Sequence, residues 1–319
     1  MTKTKNHIGL GTAAIGRPQY INIKKEDSEI FNKTKFKQQG IHVLETAYNK
    51  GIRYFDTAPG YGMAQEILLE WLNTKKDKSI EVATKWGYSY VANFDPNAII
   101  NEVKDHSLQK LLSQWEKSKE LMPNLTTYQI HSATFETGVL DNEEVLYKLA
   151  ELKDHFQLKI GITTSGSNQV EILKKSLDIT VNGTQLFDAF QVTYNMLDQS
   201  LLNIAEEMNA NGKRIIIKEA LANGRIFRNK NYANYNPLYN TLEALATKYK
   251  VGVDAIALRF CIDTVNPFMV LSGASAAFQI SENLKANQFE IEKQDIDLLK
   301  SFKVAPNDYW NERKKLSWN

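Results

Sequence analysis

The stretch YFDTAPGYG, residues 54–62, begins as a strand and ends as a turn. Tyr54, Phe55 and Thr57 suit a pleated, half-buried surface, whereas Pro59, Gly60 and Gly62 interrupt any regular element. A carboxylate, Asp56, therefore falls at the end of an apolar run, with a phenol, Tyr61, five residues further on. Burying a carboxylate is costly unless it is paired, so the position calls for a partner from elsewhere in the chain.

Seven further runs resemble 53–58, and together they give the fold. They are 7–12 (HIGLGT), 80–86 (IEVATKW), 126–132 (TTYQIHS), 159–165 (KIGITTS), 189–195 (AFQVTYN), 214–220 (RIIIKEA) and 268–273 (FMVLSG). Segments of helical spacing lie between them, such as Ile67, Leu68 and Trp71, then Val145, Leu146, Leu149 and Leu152, then Leu201, Ile204, Ala205 and Met208. Asp141, with Glu144 three residues on, resembles a capping box at the start of the second of these helices. Eight strand-helix alternations in one chain predict an α/β protein with a closed, parallel, eight-stranded (β/α)8 TIM barrel rather than a doubly wound open sheet. With no linker, repeat or low-complexity tract, residues 1–319 read as a single barrel domain. A loop at 17–40 is expected over the catalytic end and a C-terminal tail at 304–319 over or beside the barrel.

One motif competes with this fold. GLGTAA, residues 9–14, matches the G-x-G-x-x-A dinucleotide fingerprint, with Glu26 and Asp27 near the expected spacing. The fingerprint needs a helix starting inside it, and Gly16 and Pro18 are expected to break any such helix.

The 319 residues are 43% hydrophobic and 24% charged, a globular composition with ample core. Lys and Arg number 39 against 37 Asp and Glu, a net charge of +2, and the basic clusters are short and interspersed with acids. That pattern argues against a nucleic-acid or membrane surface. The one cysteine, Cys261, leaves no intramolecular disulfide and no cysteine-rich metal site, and no metal ligand set is expected. The N-terminal run from Ile8 to Ile15 is broken by glycines and followed by Arg17-Pro18, unlike a signal peptide. No apolar run approaches the ~20 residues of a bilayer span. A cytoplasmic protein is expected, and the oligomeric state is left open.

Barrel enzymes carry their chemistry at the carboxyl ends of the strands. Asp56 and Tyr61 fall at or beyond the end of the second strand, Lys85 ends the third and His131 the fourth. Singly, each has a structural explanation: a turn carboxylate, a turn aromatic, a solvated strand end, a hydrogen-bonded core histidine. Together they make a proton-transfer set. A tyrosine titrates near 10, too high for efficient transfer near neutrality. A neighbouring ammonium is expected to lower it, an aspartate to hold that ammonium, and a histidine to orient a carbonyl oxygen.

With these residues in view, the sequence resembles the aldo-keto reductase family over nearly its whole length. GIRYFDTAPGYG (51–62) is similar to the family's second-strand signature, and VATKW (82–86) and YQIHS (128–132) to the segments carrying its lysine and histidine. The resemblance implies a catalytic tetrad of Asp56, Tyr61, Lys85 and His131, and a nicotinamide cofactor, NADPH or NADH, lying across the barrel mouth without a Rossmann domain. It places Gln191 and the pair Thr163-Thr164 at the nicotinamide amide, where relatives carry Ser-Asn. Lys218 takes the place of a tyrosine that stacks on the nicotinamide ring in many relatives. The loop Leu221, Asn223, Gly224 and Arg225 follows, with Arg225 as a phosphate partner. Gly273, Ser275, Gln279, Glu282 and Asn283 match the adenosine end. Gln279 and Gly273 replace the arginine and lysine of many NADPH-dependent members, and the structural alternative there is a strand-to-helix turn capped by Ser275 or Ser281. Tyr20, Trp86, Tyr88, Tyr90 and the C-terminal segment YWNERKKLSWN (309–319) are substrate-pocket candidates for a small-molecule carbonyl substrate, with NADPH slightly favoured by family habit. The expected activity is carbonyl reduction; the same chemistry run as a sugar or alcohol dehydrogenase, or a cofactor-sensing binding protein on this barrel, are the alternatives.

Overall fold

The computed structural model describes residues 6–18, 31–95 and 97–317. Eight strands close a parallel barrel: β1 (Ile8–Gly11), β2 (Tyr54–Asp56), β3 (Glu81–Trp86), β4 (Leu125–Ala133), β5 (Lys159–Thr164), β6 (Phe187–Thr193), β7 (Arg214–Lys218) and β8 (Met269–Ser272). Each pairs in parallel with its sequence neighbours, and β1 closes against β8 through Ile8 opposite Val270. All eight runs expected from the sequence are barrel strands.

Strand periodicity sorts the side chains into two layers. Tyr54, Ala83, Ala189 and Ile216 fill the barrel interior with Phe268, Met269 and Leu271. Phe55, Val82, Ile130, Ile162, Phe190 and Ile217 point the other way, into the apolar layer beneath the helices. Side chains alternate faces with period two, so the residues two places beyond the interior layer also face inward. These are Asp56, Lys85, Gln191 and Lys218. At Gly161 an added Cβ would lie 2.9 Å from Gln129 Cγ and 2.8 Å from the Ala189 carbonyl oxygen, so only glycine leaves Gln129 its place.

Two local expectations are corrected and one, on GLGTAA, holds. Residues 19–30 of the expected loop lie outside the described residues, but Lys33–Gly40 begins the helix Lys33–Asn49, not a loop. Asn32 caps it by accepting from the Lys35 amide at 2.9 Å, and Gly40, Val43, Leu44 and Ala47 form its buried stripe. Within GLGTAA a helical turn does form, Ala13–Gly16, and stops at Gly16; the closed barrel leaves no Rossmann sheet for it. The helix Glu143–Phe156 is capped by Asn142, which accepts from Val145, while Asp141 instead accepts from Lys175 at 2.5 Å.

Two short ladders escaped the sequence pattern because their strands have two or three residues each and mix polar with apolar side chains. One pairs Tyr88–Tyr90 with Glu102–Lys104, directly after β3, and carries Tyr88 and Glu102 to the barrel mouth. The other pairs Thr180–Val181 with Thr184–Gln185 ahead of β6. The C-terminal helix Pro306–Arg313 closes the mouth from the other side. Trp310 donates to Asp198 at 3.1 Å, and Arg225 reaches Glu312 at 2.9 Å. Among the described residues no helix is long and apolar enough to cross a membrane.

Candidate active site

Asp56, at the end of β2, meets its partners across the barrel. Lys85 donates to its Oδ1, and to the Thr57 carbonyl at 3.0 Å. Gln191 Nε2 donates to Asp56 Oδ2 at 2.7 Å and Gln129 Nε2 at 3.4 Å. The Lys85 and Asp56 side chains are 0% and 3% exposed. A buried pair of this kind is tolerated because both partners have further hydrogen bonds.

Tyr61 stands over this pair. The Lys85 ammonium is 4.8 Å from its ring centroid, and its hydroxyl is 3.5 Å from His131 Nε2. The loop carrying it is clamped by the first strand-helix connection, where the Gly16 carbonyl accepts from the Met63 amide at 2.8 Å. A Cβ on Gly16 would come within 2.1 Å of the Tyr61 carbonyl oxygen. His131 is steadied from behind, since the ring of His106 bonds its carbonyl at 2.9 Å. The next residue, Ser132, has a φ of 51°, a costly conformation for a non-glycine residue. Its amide donates to Thr163 Oγ1 at 2.7 Å, which helps hold that turn.

The electrostatics depart from expectation at Tyr61. Burial, followed by the charges of Asp56 and Glu102, pushes its phenol well above 10, with Arg17 pulling the other way. Burial and the carboxylate charges outweigh the lowering expected from Lys85. Tyr61 therefore stands protonated. His131 is held well below its ordinary value by burial and then by Lys85, Lys218 and Arg17, so its ring is neutral.

A cavity of about 190 Å³ opens above Tyr61. Its inner wall is Tyr61, His131, Thr163 and Gln191, joined by Ser132 and Ser165. Its outer wall is charged: Arg17 donates to Glu102 at 2.8 Å on one side, and Arg313 forks onto Glu219 at 2.5 and 2.9 Å on the other. Arg313 lies in the expected C-terminal segment 309–319, whereas Arg17, Glu102, Glu219, Ser132, Ser165 and Gln129 are not among the candidates read from the sequence. Alternation along β4 pointed to Gln129. Arg17, Glu102 and Arg313 lie on connections or a terminal helix, and nothing local in their sequences places them together.

The other candidates divide. Gln191, Thr163, Lys218 and Tyr88 line the cavity. Thr164 does not: it faces outward and donates to Gln169 at 3.4 Å, because it has the opposite strand parity to Thr163. Trp86 likewise is buried in the layer beneath the helices and is no pocket wall, one place beyond inward-facing Lys85. Tyr20 lies outside the described residues. Arg225 is buried, donates to the Ala222 carbonyl at 3.0 Å and to Glu312, and lies 4.1 Å from the Tyr309 ring centroid; it is engaged by the C-terminal helix rather than presented to a phosphate. Leu221, Asn223 and Gly224 form the turn just before it.

After β8, Gln279 Oε1 accepts from the amides of Ser275 and Ala276 at 2.9 and 3.1 Å, so it caps its own helix, Ala277–Leu284, in place of either serine. Asn283 is held between Ser272 and Asp254, at 2.6 and 2.5 Å, and Glu282 pairs with Lys285 at 2.7 Å. Around Gly273 a Cβ would meet nothing within 4 Å. A nicotinamide carboxamide needs uncharged donors and acceptors, and Gln191, Thr163 and Ser165 supply them in the cavity of Tyr61. The residues present fit that end of a dinucleotide. No group of three or more His, Cys, Asp or Glu suited to a metal occurs among the described residues.

Comparison with known proteins agrees with this geometry. The Aldo/keto reductase family model matches residues 7–303. The chain is 22% identical over 333 residues to the NADH-specific methylglyoxal reductase of Escherichia coli, covering 95% of this chain and 96% of that one. It is 26% identical over 263 residues to the L-galactose dehydrogenase of Arabidopsis thaliana, 77% of each. Among solved structures, an aldo-keto reductase of Bacillus halodurans superposes with a TM-score of 0.71 at 19% identity, covering 94% of this chain and 92% of that one. The chain belongs to the aldo/keto reductase family. It is an NAD(P)-dependent oxidoreductase, of a family that acts on small carbonyl compounds.

Proposed function

We propose that this protein reduces an aldehyde or ketone to an alcohol with Tyr61 as the general acid. The observation that carries the reading is the Tyr61 hydroxyl 3.5 Å from His131 Nε2, above the buried Lys85-Asp56 pair. The reduced nicotinamide, when bound, supplies the hydride. Gln191, Thr163 and Ser165 would hold its carboxamide, and the segment carrying Gly273, Ser275, Gln279, Glu282 and Asn283 would face the adenosine. Tyr61 and His131 bracket the carbonyl oxygen and stabilise the negative charge that develops on it. The phenol proton then passes to that oxygen, completing the alcohol, and the resulting phenolate is stabilised by the Lys85 ammonium. Asp56 keeps the ammonium charged and in place. A phenol raised above 10 carries its proton at neutral pH, the form that reduction consumes, and gives it up only as the more basic alkoxide develops on the substrate.

The dinucleotide preference is proposed to be weak. A 2′-phosphate seeks cationic partners; Gln279 and Gly273 offer none, and Arg225 is engaged elsewhere. Oxidation of NADH and NADPH, followed by absorbance against a panel of small aldehydes and ketones, tests the activity directly. Absence of turnover throughout the panel, with cofactor binding intact, would favour a binding role instead.

A further inference from the structure

Among the described residues, the cavity holds one more positive than negative group. Arg17, Lys218 and Arg313 line it together with two carboxylates, Glu102 and Glu219. Glu102 is taken by Arg17 at 2.8 Å, and Glu219 is forked by Arg313. Beneath them Lys85 and Asp56 match each other, and His131 is neutral. Lys218 is the remainder. Its ammonium is steadied by two uncharged hydroxyls, Ser165 at 3.2 Å and Thr193 at 2.9 Å. Glu219 is 3.8 Å away, beyond hydrogen-bond reach. An ammonium has three donors, so one remains for a ligand.

Resting on the carbonyl-reductase reading above, we propose that Lys218 is a specificity residue that binds an anionic group on the substrate, and that the substrate class is short oxo acids, a carbonyl and a carboxylate on one small molecule. Lys218 shares Glu219 with Arg313 and, among the described residues, has no carboxylate within hydrogen-bond distance; a buried ammonium so placed is costly, and a carboxylate brought in by the substrate removes that cost. Burial lowers Lys218 to about 8, consistent with a charge the surroundings only partly balance. Tyr61 and Lys218 line one and the same cavity, so a carbonyl at the first and a carboxylate at the second belong to one small molecule. The same ammonium has the chemistry to meet a cofactor phosphate, so the test separates the two sources.

The experiment compares kcat/KM for 4-oxobutanoate and for butanal, which share a carbon chain and differ in the carboxylate, in the wild type, Lys218→Met and Lys218→Arg. NADH and NADPH dissociation constants are measured on each protein by fluorescence. The wild type is expected to prefer the oxo acid by ~10-fold or more, the scale of one charge-assisted hydrogen bond. Lys218→Met should remove most of that preference and Lys218→Arg restore part of it. The ratio cancels any loss common to both substrates. A wild type that reduces butanal as well as the oxo acid overturns the inference and leaves the reductase reading intact. A preference that survives in Lys218→Met, with cofactor affinity weakened, assigns the anion to the cofactor and also overturns it. Turnover of neither aldehyde with bound cofactor counts against both.

Discussion

Lys85 donates to Asp56 in a pair closed to water, and the same carboxylate accepts from Gln191 at 2.7 Å and Gln129 at 3.4 Å. Three strands thus converge on one acid at the end of a fourth. Removing one partner leaves an uncompensated buried charge, typically a loss of 3–5 kcal/mol. Lys85→Met should therefore lower unfolding free energy in urea by roughly that amount, and Lys85→Met with Asp56→Asn by less than the sum of the two single changes. Turnover of the double variant should be little worse than that of Lys85→Met. Fully additive losses would show that the two residues act separately.

Tyr61→Phe keeps the ring and deletes the proton. Turnover should fall by ~100-fold or more, the lower range for a lost acid-base group. Cofactor dissociation constants should stay within a few-fold. Near-normal turnover would remove Tyr61 from its proposed role.

The pH profile follows from the directions of the shifts. Tyr61 lies well above 10, so the protonated form that serves as acid persists through pH 9 and is lost only above the raised value. His131 lies well below 6.5 and gains a proton only below its depressed value. Reduction of an uncharged aldehyde should accordingly be flat in kcat/KM between about pH 6.5 and 9. With an oxo acid, a descending limb is expected near the value of about 8 for Lys218, whose surroundings include Glu219, Arg313, Lys85 and Asp198. Deprotonation removes its attraction for a carboxylate. A limb near 8 that appears equally with the uncharged aldehyde would assign the titration to the chemistry rather than to substrate binding.

Gly16 is where the first connection presses on the catalytic loop. Gly16→Ala would place a methyl 2.1 Å from the Tyr61 carbonyl oxygen and 2.3 Å from Ala64 Cβ. The expected cost is about 1–3 kcal/mol, as for other overpacked sites. Because the displaced segment carries Tyr61, turnover should fall with stability. Unchanged activity in a destabilised protein would show that the loop relaxes away from the site.

The ratio of kcat/KM for NADPH over NADH should be below ~100, a difference of ~2.7 kcal/mol. Gln279→Arg should raise it, while lowering the melting temperature because the cap on Ser275 and Ala276 is lost. Arg225→Gln should destabilise the C-terminal helix, which it holds through Glu312, and leave the ratio alone. A fall in the ratio on that change would restore Arg225 as a phosphate partner.

The sequence by itself determined the barrel, because alternating β-branched and aromatic runs separated by helical spacing admit few architectures. It also determined the inward-facing residues, since strand parity is a local property: Asp56 sits two places past Tyr54, and Lys85 two past Ala83. Parity applied more strictly would have turned Thr164 and Trp86 away from the site. The tertiary structure decided what depends on distance and burial. Arg17, Glu102, Glu219 and Arg313 meet around one cavity although 296 positions separate the first from the last. The protonation of Tyr61 was likewise a tertiary outcome: the sequence supplies a lysine, but only the packed site sets burial and Asp56 against it. Local pattern places a side chain on a face; the closed barrel alone determines which charges share a partner, and among the described residues Lys218 shares Glu219 with Arg313.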